Sequence, residues 1–206
     1  MSKYDYQKIA SEYDEMVKQY EWHGPELIYD HLSKVVRKGT KLLDIGVGTG
    51  ISSERFYENQ VELYGLDNSS ELIEVCKSKN VFKEVQLFDI EKDQIPYPDS
   101  MFDFLVCSGV LHFFSDLEKI FEQVSKVLKS NGFFVFTIIE NRINDNPINS
   151  LSANGVSVYH HSREYIKSME EEFNFSRAHE HKFNSIKDLD TGDTLEFTLI
   201  VLRREN

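Results

Sequence analysis

The sequence contains few cysteines and no long apolar run. Its 206 residues include two cysteines, Cys76 and Cys107, without a CxxC pair or a histidine at metal-ligand spacing beside either. We therefore expect both to be reduced and structural, and we expect no metal site. The longest apolar run, residues 133–139, is too short to span a bilayer, and the polar start MSKYDYQK lacks the apolar segment of a signal peptide. These absences predict a cytoplasmic protein with no membrane partner.

Positive charge is also scarce. Lysine and arginine together number 23 against 35 aspartates and glutamates, so the formal net charge is −12. The cations are scattered among acids and form no basic stripe along the sequence. A chain of this charge repels a phosphate backbone, so the composition argues against a nucleic-acid substrate.

Nothing in the composition divides the chain. Four prolines and ten glycines are spread along it, without a linker rich in Pro, Gly or Ser and without an internal repeat. Its hydrophobic content of 40% is enough to bury a full core in a chain of this length. We predict one domain, in a monomer or a homodimer.

The sequence does contain a glycine-rich turn behind an apolar stretch. LLDIGVGTG, residues 42–50, has Gly46, Gly48 and Gly50 one residue apart, behind Asp44. Glycines allow backbone angles and ligand approach distances that a Cβ prevents. A helix after the turn would add free N–H groups and the positive end of its dipole. The pattern therefore predicts a site for a nucleotide-like ligand.

The order of elements predicts an alternating α/β sheet. Residues 116–128 repeat apolar side chains at helix spacing, and Asn131-Gly132 is expected to end this helix. A second helix is predicted over residues 162–172, with Ser162 or His161 as its N-cap. Strands that are apolar throughout are typical of parallel sheets covered on both faces. The seven predicted strands are residues 41–45, 61–66, 85–88, 104–107, 133–139, 175–183 and 195–203.

The glycine turn resembles motif I of class I S-adenosylmethionine-dependent methyltransferases. A dinucleotide-binding turn would need a glycine at Ile51, whereas here the third glycine comes one residue earlier. IPYPDSMFDFLVCSGVLHFF, residues 95–114, closely resembles the signature LPFPDNSFDVVVCSNVLHH of the small-molecule type. The chain also faintly resembles the methyltransferase-like proteins of the Williams-Beuren region. The resemblance implies a Rossmann-like, seven-stranded, mostly parallel sheet with helices on both faces and an antiparallel final strand.

The resemblance also implies the cofactor S-adenosylmethionine and the product S-adenosylhomocysteine. Asp67 corresponds to the family's ribose-binding acid, Asp89 to the acid that receives the adenine amino group, and Ile90 to the apolar residue against the ring. From the residues alone, Asp44 also suits a brace for the loop, and Asp67 and Asp89 also suit helix caps. The predicted cofactor-binding residues are Tyr13, Asp44, Gly46, Gly48, Gly50, Asp67, Asn68, Asp89, Ile90 and Ser108.

Four regions are predicted along the single domain. Residues 1–37 resemble a helical lid, residues 41–140 the cofactor-binding core, and residues 162–206 a closing helix and hairpin. Residues 141–161 are polar and rich in asparagine, and we expect an acceptor-side loop without secondary structure there. The predicted substrate-side residues are Tyr6, Trp22, Tyr159 and His160.

Three of the lid and loop residues have an alternative role. Trp22 suits stacking on a substrate or pinning a turn, and Tyr13 suits a lid contact or packing on the sheet. His160 suits the acceptor side or a solvated position at the helix start.

His112 is the predicted catalytic residue. It follows the fourth strand, where the family often has a histidine facing the active site, and its ordinary pKa suits a general base. Packing in the substrate wall is the alternative. The segment CSG after that strand lacks the [ND]PP[YF] motif of adenine-N6 and glutamine methyltransferases, and it lacks the oxygen ligands that Mg²⁺ prefers.

The sequence therefore predicts methyl transfer to the oxygen, nitrogen or carbon of a small-molecule acceptor. Two other classes stay open. One is a module that binds S-adenosylmethionine without turnover, and the other is a nicotinamide-dependent oxidoreductase, which Ile51 and residues 95–114 oppose.

Overall fold

A computed structural model describes residues 10–141, 148–151, 157–187 and 194–206. Tyr6 lies outside these residues, as do parts of the predicted lid and of the predicted acceptor-side loop. The helices are α1 Tyr13–Gln19, α2 Gly24–Leu32, α3 Ser70–Ser78, α4 Glu118–Val127 and α5 Arg163–Glu172. The strands are β1 Lys41–Ile45, β2 Glu62–Asp67, β3 Glu84–Leu87, β4 Phe102–Cys107, β5 Leu128–Asn141, β6 Ile148–Leu151, β7 Ser157–Ser162, β8 Phe175–Lys187 and β9 Thr194–Arg204.

The central sheet has the strand order β3-β2-β1-β4-β5-β9-β8. The first five of these strands are parallel. β9 runs antiparallel between β5 and β8, with Phe133 of β5 opposite Arg203 of β9. All seven predicted strands are therefore present, and the mostly parallel fold with an antiparallel final strand is confirmed.

Two apolar clusters cover the two faces of the sheet. On one face, Leu42 of β1 packs in a cluster with Ile28 and Leu32 of α2. On the other, Leu43 packs in a cluster with Phe121 of α4, and this cluster extends to α5. Neighbouring strand residues point to opposite faces, so a strand covered on both sides is apolar throughout. Within the described part of the chain, no helix has the length and apolar content that crossing a membrane requires.

The predicted acceptor-side loop contains two strands, so the prediction that it lacks secondary structure is wrong for these residues. β6 pairs antiparallel with β7, and β7 runs parallel to the last residues of β5, with His161 opposite Glu140. β5 pairs with β9 only as far as Ile138, so its last residues are free to pair with β7. The extension brings His160 and His161 to the carboxyl end of β5.

The end of α4 also differs from the prediction. The helix ends at Val127 and β5 begins at Leu128, before the Asn131-Gly132 pair. Asn131 has a φ of +64°, and the pairing of β4 with β5 shifts register at this point. The Asn-Gly pair therefore marks an irregularity inside β5, because tertiary pairing takes over the residues that would have continued the helix.

Candidate active site

The glycine turn lies at the carboxyl end of β1, beside the ends of β2 and β4. The order of strands reverses between β1 and β4, and open α/β sheets bind ligands in the crevice at such a point. The N–H groups of Gly46 and Val47 donate to the carbonyl of Leu66 at 2.8 and 3.0 Å. The N–H of Gly48 donates to Asp67 Oδ2 at 2.7 Å. The turn is therefore fixed to the end of β2.

Gly46 also connects the turn to the segment after β4. Its φ is +73°, and a Cβ placed on it would lie 2.3 Å from Cγ2 of Val110. Both observations require glycine, since a left-handed backbone is unfavourable for other residues and this contact leaves no room for a methyl group. The glycine turn and the β4 exit segment, residues 108–117, are thus in direct contact.

The helix expected after the turn is short. Residues 51–53 form turns, and a 3-10 helix occupies Glu54–Asn59. The N–H groups of Gly50, Ser53 and Glu54 are used within the turn, on the carbonyls of Val47 and Gly50. The prediction of a helix N-terminus directed at the ligand is therefore wrong for these residues, because a short 3-10 segment aligns few peptide dipoles.

Asp67 lies at the end of β2 with both carboxylate oxygens engaged. Oδ2 accepts from Gly48, and Oδ1 accepts from the N–H of Ser69 at 2.9 Å. Burial raises the pKa of Asp67, against the effect of these backbone hydrogen bonds. The N-cap of α3 is Ser69, whose hydroxyl accepts from Leu72, so Asp67 is not the cap. A backbone hydrogen bond from Asn68 also reaches this carboxylate, which has about four acceptor sites, so the three bonds leave acceptor capacity for a ligand hydroxyl. Asn68, the next residue, is exposed.

Asp44 is fully buried behind the turn. Its Oδ2 accepts from the hydroxyl of Ser53 at 2.6 Å, and its Oδ1 has no partner among the described residues. Burial raises its pKa to about 7. This geometry agrees with the brace that was the alternative interpretation of Asp44, and the unpartnered oxygen leaves one polar group to be satisfied.

Asp89 and Ile90 follow β3 as predicted for an adenine pocket. Asp89 accepts from the N–H of Glu91 at 3.1 Å and pairs with Lys92 at 2.5 Å, and this bond to Lys92 lowers the pKa of Asp89. Ile90 is buried in the same apolar cluster as Ile95. The ion pair with the exposed Lys92 is weak enough for a ligand to share the carboxylate.

α1, which begins at Tyr13, is attached to the glycine turn by contacts that the sequence did not reveal. The hydroxyl of the buried Thr49 donates to Asp14. Lys79, at the end of α3, lies 2.7 Å from Asp14 and 2.7 Å from Glu54. We call the side chains of Asp14, Thr49, Lys79 and Glu54 the α1 latch. It holds the helix against the predicted cofactor loop.

Trp22 packs beneath the β4 exit segment. Its ring lies 4.9 Å from Phe197 and 5.7 Å from Phe183, centroid to centroid. A Cβ on Gly24 would lie 2.5 Å from the Trp22 ring and 2.9 Å from Ser108 Oγ. Trp22 therefore adjoins Ser108 at the start of α2. The hydroxyl of Ser108 is buried and has no partner within the described ranges.

His112 lies in a 3-10 turn, Leu111–Phe113, and is buried. Its ring contacts Phe113 and Phe197 at centroid distances of 4.3 and 5.7 Å. Burial, followed by the charges of His161 and His160, lowers the pKa of His112 to about 3. The imidazole is therefore neutral at physiological pH, and its Nδ1 lacks a partner in the part of the chain that the structure describes.

Tyr159 and His160 lie on β7. Nε2 of His160 is 2.9 Å from Oγ of Ser150, so the ring is held within the β6–β7 pair. Burial lowers the pKa of His160. Tyr159 is half-buried. His160 is therefore neither a helix cap nor fully solvated. The N-cap of α5 is Ser162, one of the two predicted residues.

His161 and Tyr165 complete this side of the site and were not predicted. His161 is fully buried, and its Nε2 lies 3.4 Å from the carbonyl oxygen of Leu111. Its ring stacks on Tyr165 at 5.6 Å. The hydroxyl of Tyr165 accepts from the N–H of Leu117 at 2.8 Å and donates to Asp116 at 3.0 Å. Interpreting residues 157–162 as an alternating strand would have separated His160 from His161, on opposite faces.

The residues at this edge fit a nucleoside-bearing cofactor. A Cβ on Gly48 would meet only Leu72, at 3.9 Å, so the middle of the turn has room for a ligand. Asp67 offers free lone pairs beside it, and Asp44 and Ser108 each have an unpartnered oxygen. Acceptors for hydroxyl and amino groups therefore surround an open glycine turn.

Known proteins are similar in sequence to part of this chain. Residues 43–136 match the profile of a family described as a methyltransferase domain. Over 98 residues the chain is 34% identical to an uncharacterized methyltransferase of Bacillus subtilis (strain 168), YcgJ, covering 46% of this chain and 39% of the relative. Over 136 residues it is 29% identical to the demethylmenaquinone methyltransferase of Staphylococcus aureus (strain JH9), covering 63% of this chain and 56% of the relative. The chain thus spans less than two thirds of either relative.

Solved structures share the fold over a larger part of the chain. The structure of YcgJ has a TM-score of 0.68 at 21% identity and covers 89% of this chain and 99% of that one. The complex between the Haloferax volcanii Trm112 methyltransferase activator and a methyltransferase gives a TM-score of 0.73 at 16% identity, covering 100% of both chains.

Proposed function

We propose that the chain is a class I S-adenosylmethionine-dependent methyltransferase and that it transfers the cofactor's methyl group to a small-molecule acceptor, as the match of residues 43–136 and the similarity to YcgJ support. One observation carries the proposal. The glycine turn contacts Asp67 on one side and the β4 exit segment, which bears Ser108 and His112, on the other. A cofactor seated on the turn would therefore have ribose acceptors and an acceptor-side histidine at the same edge of the sheet.

The proposed cofactor contacts follow the order of the strands. The glycine turn faces the methionine part, Asp67 and Asn68 bind the ribose, and Asp89 and Ile90 hold the adenine. Asp44 braces the turn from behind, as its bond to Ser53 supports. Tyr13 contributes from the lid, because the α1 latch holds α1 against the turn.

The proposed acceptor site lies beyond the methionine end. His112 is the residue expected to contact the acceptor, supported by its burial and its unpartnered Nδ1. Trp22, Tyr159 and His160 are proposed as acceptor-side residues, with Tyr6, which is outside the described residues, in the lid. The relative from Staphylococcus aureus is a demethylmenaquinone methyltransferase, which supports a small-molecule acceptor. The net charge of −12 disfavours a polyanionic one.

The chemistry demands little of the protein. The cofactor supplies an activated methyl group on a sulfonium, so the reaction is an in-line displacement. Alignment of acceptor and methyl group accounts for about 7 to 11 kcal/mol of the barrier in well-oriented reference reactions. The β4 exit segment is suited to this task, since the N–H of Gly109 donates to Oγ1 of Thr137 at 2.8 Å and fixes the strand end.

Turnover tests the proposal. The protein is incubated with S-adenosylmethionine and a small-molecule metabolite extract, and formation of S-adenosylhomocysteine is followed. We expect formation that depends on the extract, is lost in Asp67→Ala and is kept in Asp99→Ala, since Asp99 is an exposed acid in a surface turn. Binding of S-adenosylhomocysteine without turnover on any extract would identify a binding module instead.

A further inference from the structure

Three unpartnered polar atoms lie around the β4 exit segment. Six buried side-chain polar atoms lack a partner among the described residues, and three of them are Ser108 Oγ, His112 Nδ1 and His161 Nδ1. Buried polar groups are normally hydrogen-bonded, because leaving one unpaired is costly. The structural core gives no reason for such a cluster. The three atoms therefore indicate a polar group that the described residues do not themselves supply.

The hydrogen bond of His161 fixes the state of its ring. A carbonyl oxygen only accepts, so the contact between His161 Nε2 and the Leu111 carbonyl puts the proton on Nε2. In a neutral imidazole the other nitrogen then carries a lone pair. Burial lowers the pKa of His161 and so favours the neutral ring, against the effect of the carbonyls of Leu111 and Phe114 and of the charge of Asp116. Its Nδ1 is thus an acceptor of a hydrogen bond or a proton.

The surroundings of these atoms are largely aromatic, and the charge that acts on His161 besides that of His160 is the carboxylate of Asp116, which disfavours an anionic ligand. The ring of His112 contacts Phe113 and Phe197, and Trp22 contacts Phe197 and adjoins Ser108. The charges that act on His112 are those of the two other histidines, His160 and His161. Such a site favours an apolar body with one neutral polar group.

The segment that carries His112 is held in place from β7 and α5. His161 bonds to the carbonyl of Leu111, and Tyr165 bonds to Leu117 and Asp116. The stacking of His161 on Tyr165 joins the two attachments into one unit. The wall around the three free atoms is therefore preorganised, as alignment of an acceptor requires.

We propose that His161, with His112 and Ser108, binds the methyl acceptor, and that this acceptor is an uncharged, largely apolar molecule with a hydroxyl group of the phenol kind. The inference rests on the proposed function. The acceptor oxygen forms a bond to the methyl carbon while the carbon–sulfur bond breaks. The electron pair of the broken bond stays on the sulfur, which is uncharged in S-adenosylhomocysteine. The hydroxyl proton moves to Nδ1 of His161, and the imidazolium then releases it to water.

Nitrogen NMR of the full chain, labelled with ¹⁵N-histidine, tests the proposal. The spectra are recorded with saturating S-adenosylhomocysteine, then with phenol or, as a charged control, with benzoate. We expect His161 to be protonated on Nε2, and we expect phenol, but not benzoate, to shift its Nδ1 signal. Binding of S-adenosylhomocysteine with no phenol shift, or with the proton on Nδ1, overturns the inference alone. Failure to bind S-adenosylhomocysteine overturns the proposed function.

Two variants distinguish a residue that binds phenol from a residue that only supports the wall of the site. His161→Leu removes both ring nitrogens and keeps an apolar side chain of similar volume, so phenol should bind about tenfold more weakly, as for the loss of one buried hydrogen bond. Tyr165→Phe loosens the wall without removing Ser108 Oγ, His112 Nδ1 or His161 Nδ1 and should keep the phenol shift. Equal loss in both variants, with S-adenosylhomocysteine binding unchanged, would show that His161 only supports the fold.

Discussion

At the scale of single residues, two features require glycine at position 46, its positive φ and its contact with Val110. Gly39 shares only the first feature and therefore serves as a control. Gly39 has a similar φ of +78° but nothing within 4 Å of the position that a Cβ would occupy, whereas a Cβ on Gly46 would meet Val110. Gly39→Ala should cost about 1 kcal/mol through backbone strain alone. Gly46→Ala should cost about 1 to 3 kcal/mol more through the clash. Denaturant unfolding measures both, and equal losses would contradict the packing of the turn on the β4 exit segment.

Asp44 makes stability depend on pH. Its pKa in the folded protein, about 7, exceeds its ordinary value of 3.8 because the carboxylate is buried. Between these two values the folded state binds more protons than the unfolded state, so this residue's contribution is complete below pH 4 and is lost as the pH rises through 7. At about 1.4 kcal/mol for each pKa unit, the shift from 3.8 to about 7 makes this loss on the order of 4 kcal/mol.

Asp44→Asn keeps the shape and removes the charge, so its free energy of unfolding should fall less between pH 5 and pH 8 than that of the unchanged protein. Urea titrations at the two pH values give the difference directly. Asp99→Asn, at an exposed acid, should leave the slope unchanged. The same change of unfolding free energy with pH in all three proteins would show that the pKa of Asp44 is not raised in the folded protein.

For single residues, the spacing of the motifs predicted where a residue lies relative to a strand, but not which residues it contacts. Asp67, Asp89 and His112 follow strands in a recognisable pattern, so each is found at the end of a strand or in the segment that follows it. His161 has no such pattern, since its role depends on a hydrogen bond to Leu111, fifty positions away in the chain. Likewise, the bond of Asp44 to Ser53 and the ion pair of Asp89 with Lys92 require coordinates.

At the scale of elements, the α1 latch links α1 to the glycine turn. Asp14 is the central member, because it meets both Thr49 and Lys79. Asp14→Asn should weaken the attachment by about 1 kcal/mol and therefore lower the affinity for S-adenosylhomocysteine by about fivefold. Titration calorimetry measures this change.

Glu15→Gln is the matched control, since Glu15 pairs with Lys18 on the exposed side of the same helix. We expect it to leave the affinity unchanged. An equal effect of the two variants would mean that general charge, and not the latch, is responsible. No effect of Asp14→Asn would separate α1 from cofactor binding.

Elements were predictable where the local pattern agreed with the tertiary structure. β1, β2, β4 and β5 are buried on both faces and stand out in the sequence. β6 and β7 do not, because they are short and polar and pair at the end of β5. The stretch after the glycine turn and the end of α4 were misjudged because turn hydrogen bonds and pairing with β4 outweigh helix propensity there.

At the scale of the whole molecule, the sheet topology brings the residues of the candidate site together. Strand ends that are distant in sequence, from Gly46 to His161, meet at one edge because parallel strands point the same way. The apolar clusters on both faces make this edge a rigid platform. Its polar groups are acceptors and neutral imidazoles, as a nucleoside and an uncharged acceptor require.

Thermal unfolding with S-adenosylmethionine, S-adenosylhomocysteine or NAD, each at about a hundred times its dissociation constant, tests the central claim most directly. Selective binding at that ratio stabilises the fold by about 2.7 kcal/mol, which is roughly 5 to 10 °C for a domain of this size. We predict a rise with the two sulfur nucleotides only, lost in Asp67→Ala and kept in Asp99→Ala. No rise with either sulfur nucleotide, or a rise with NAD instead, would contradict the account.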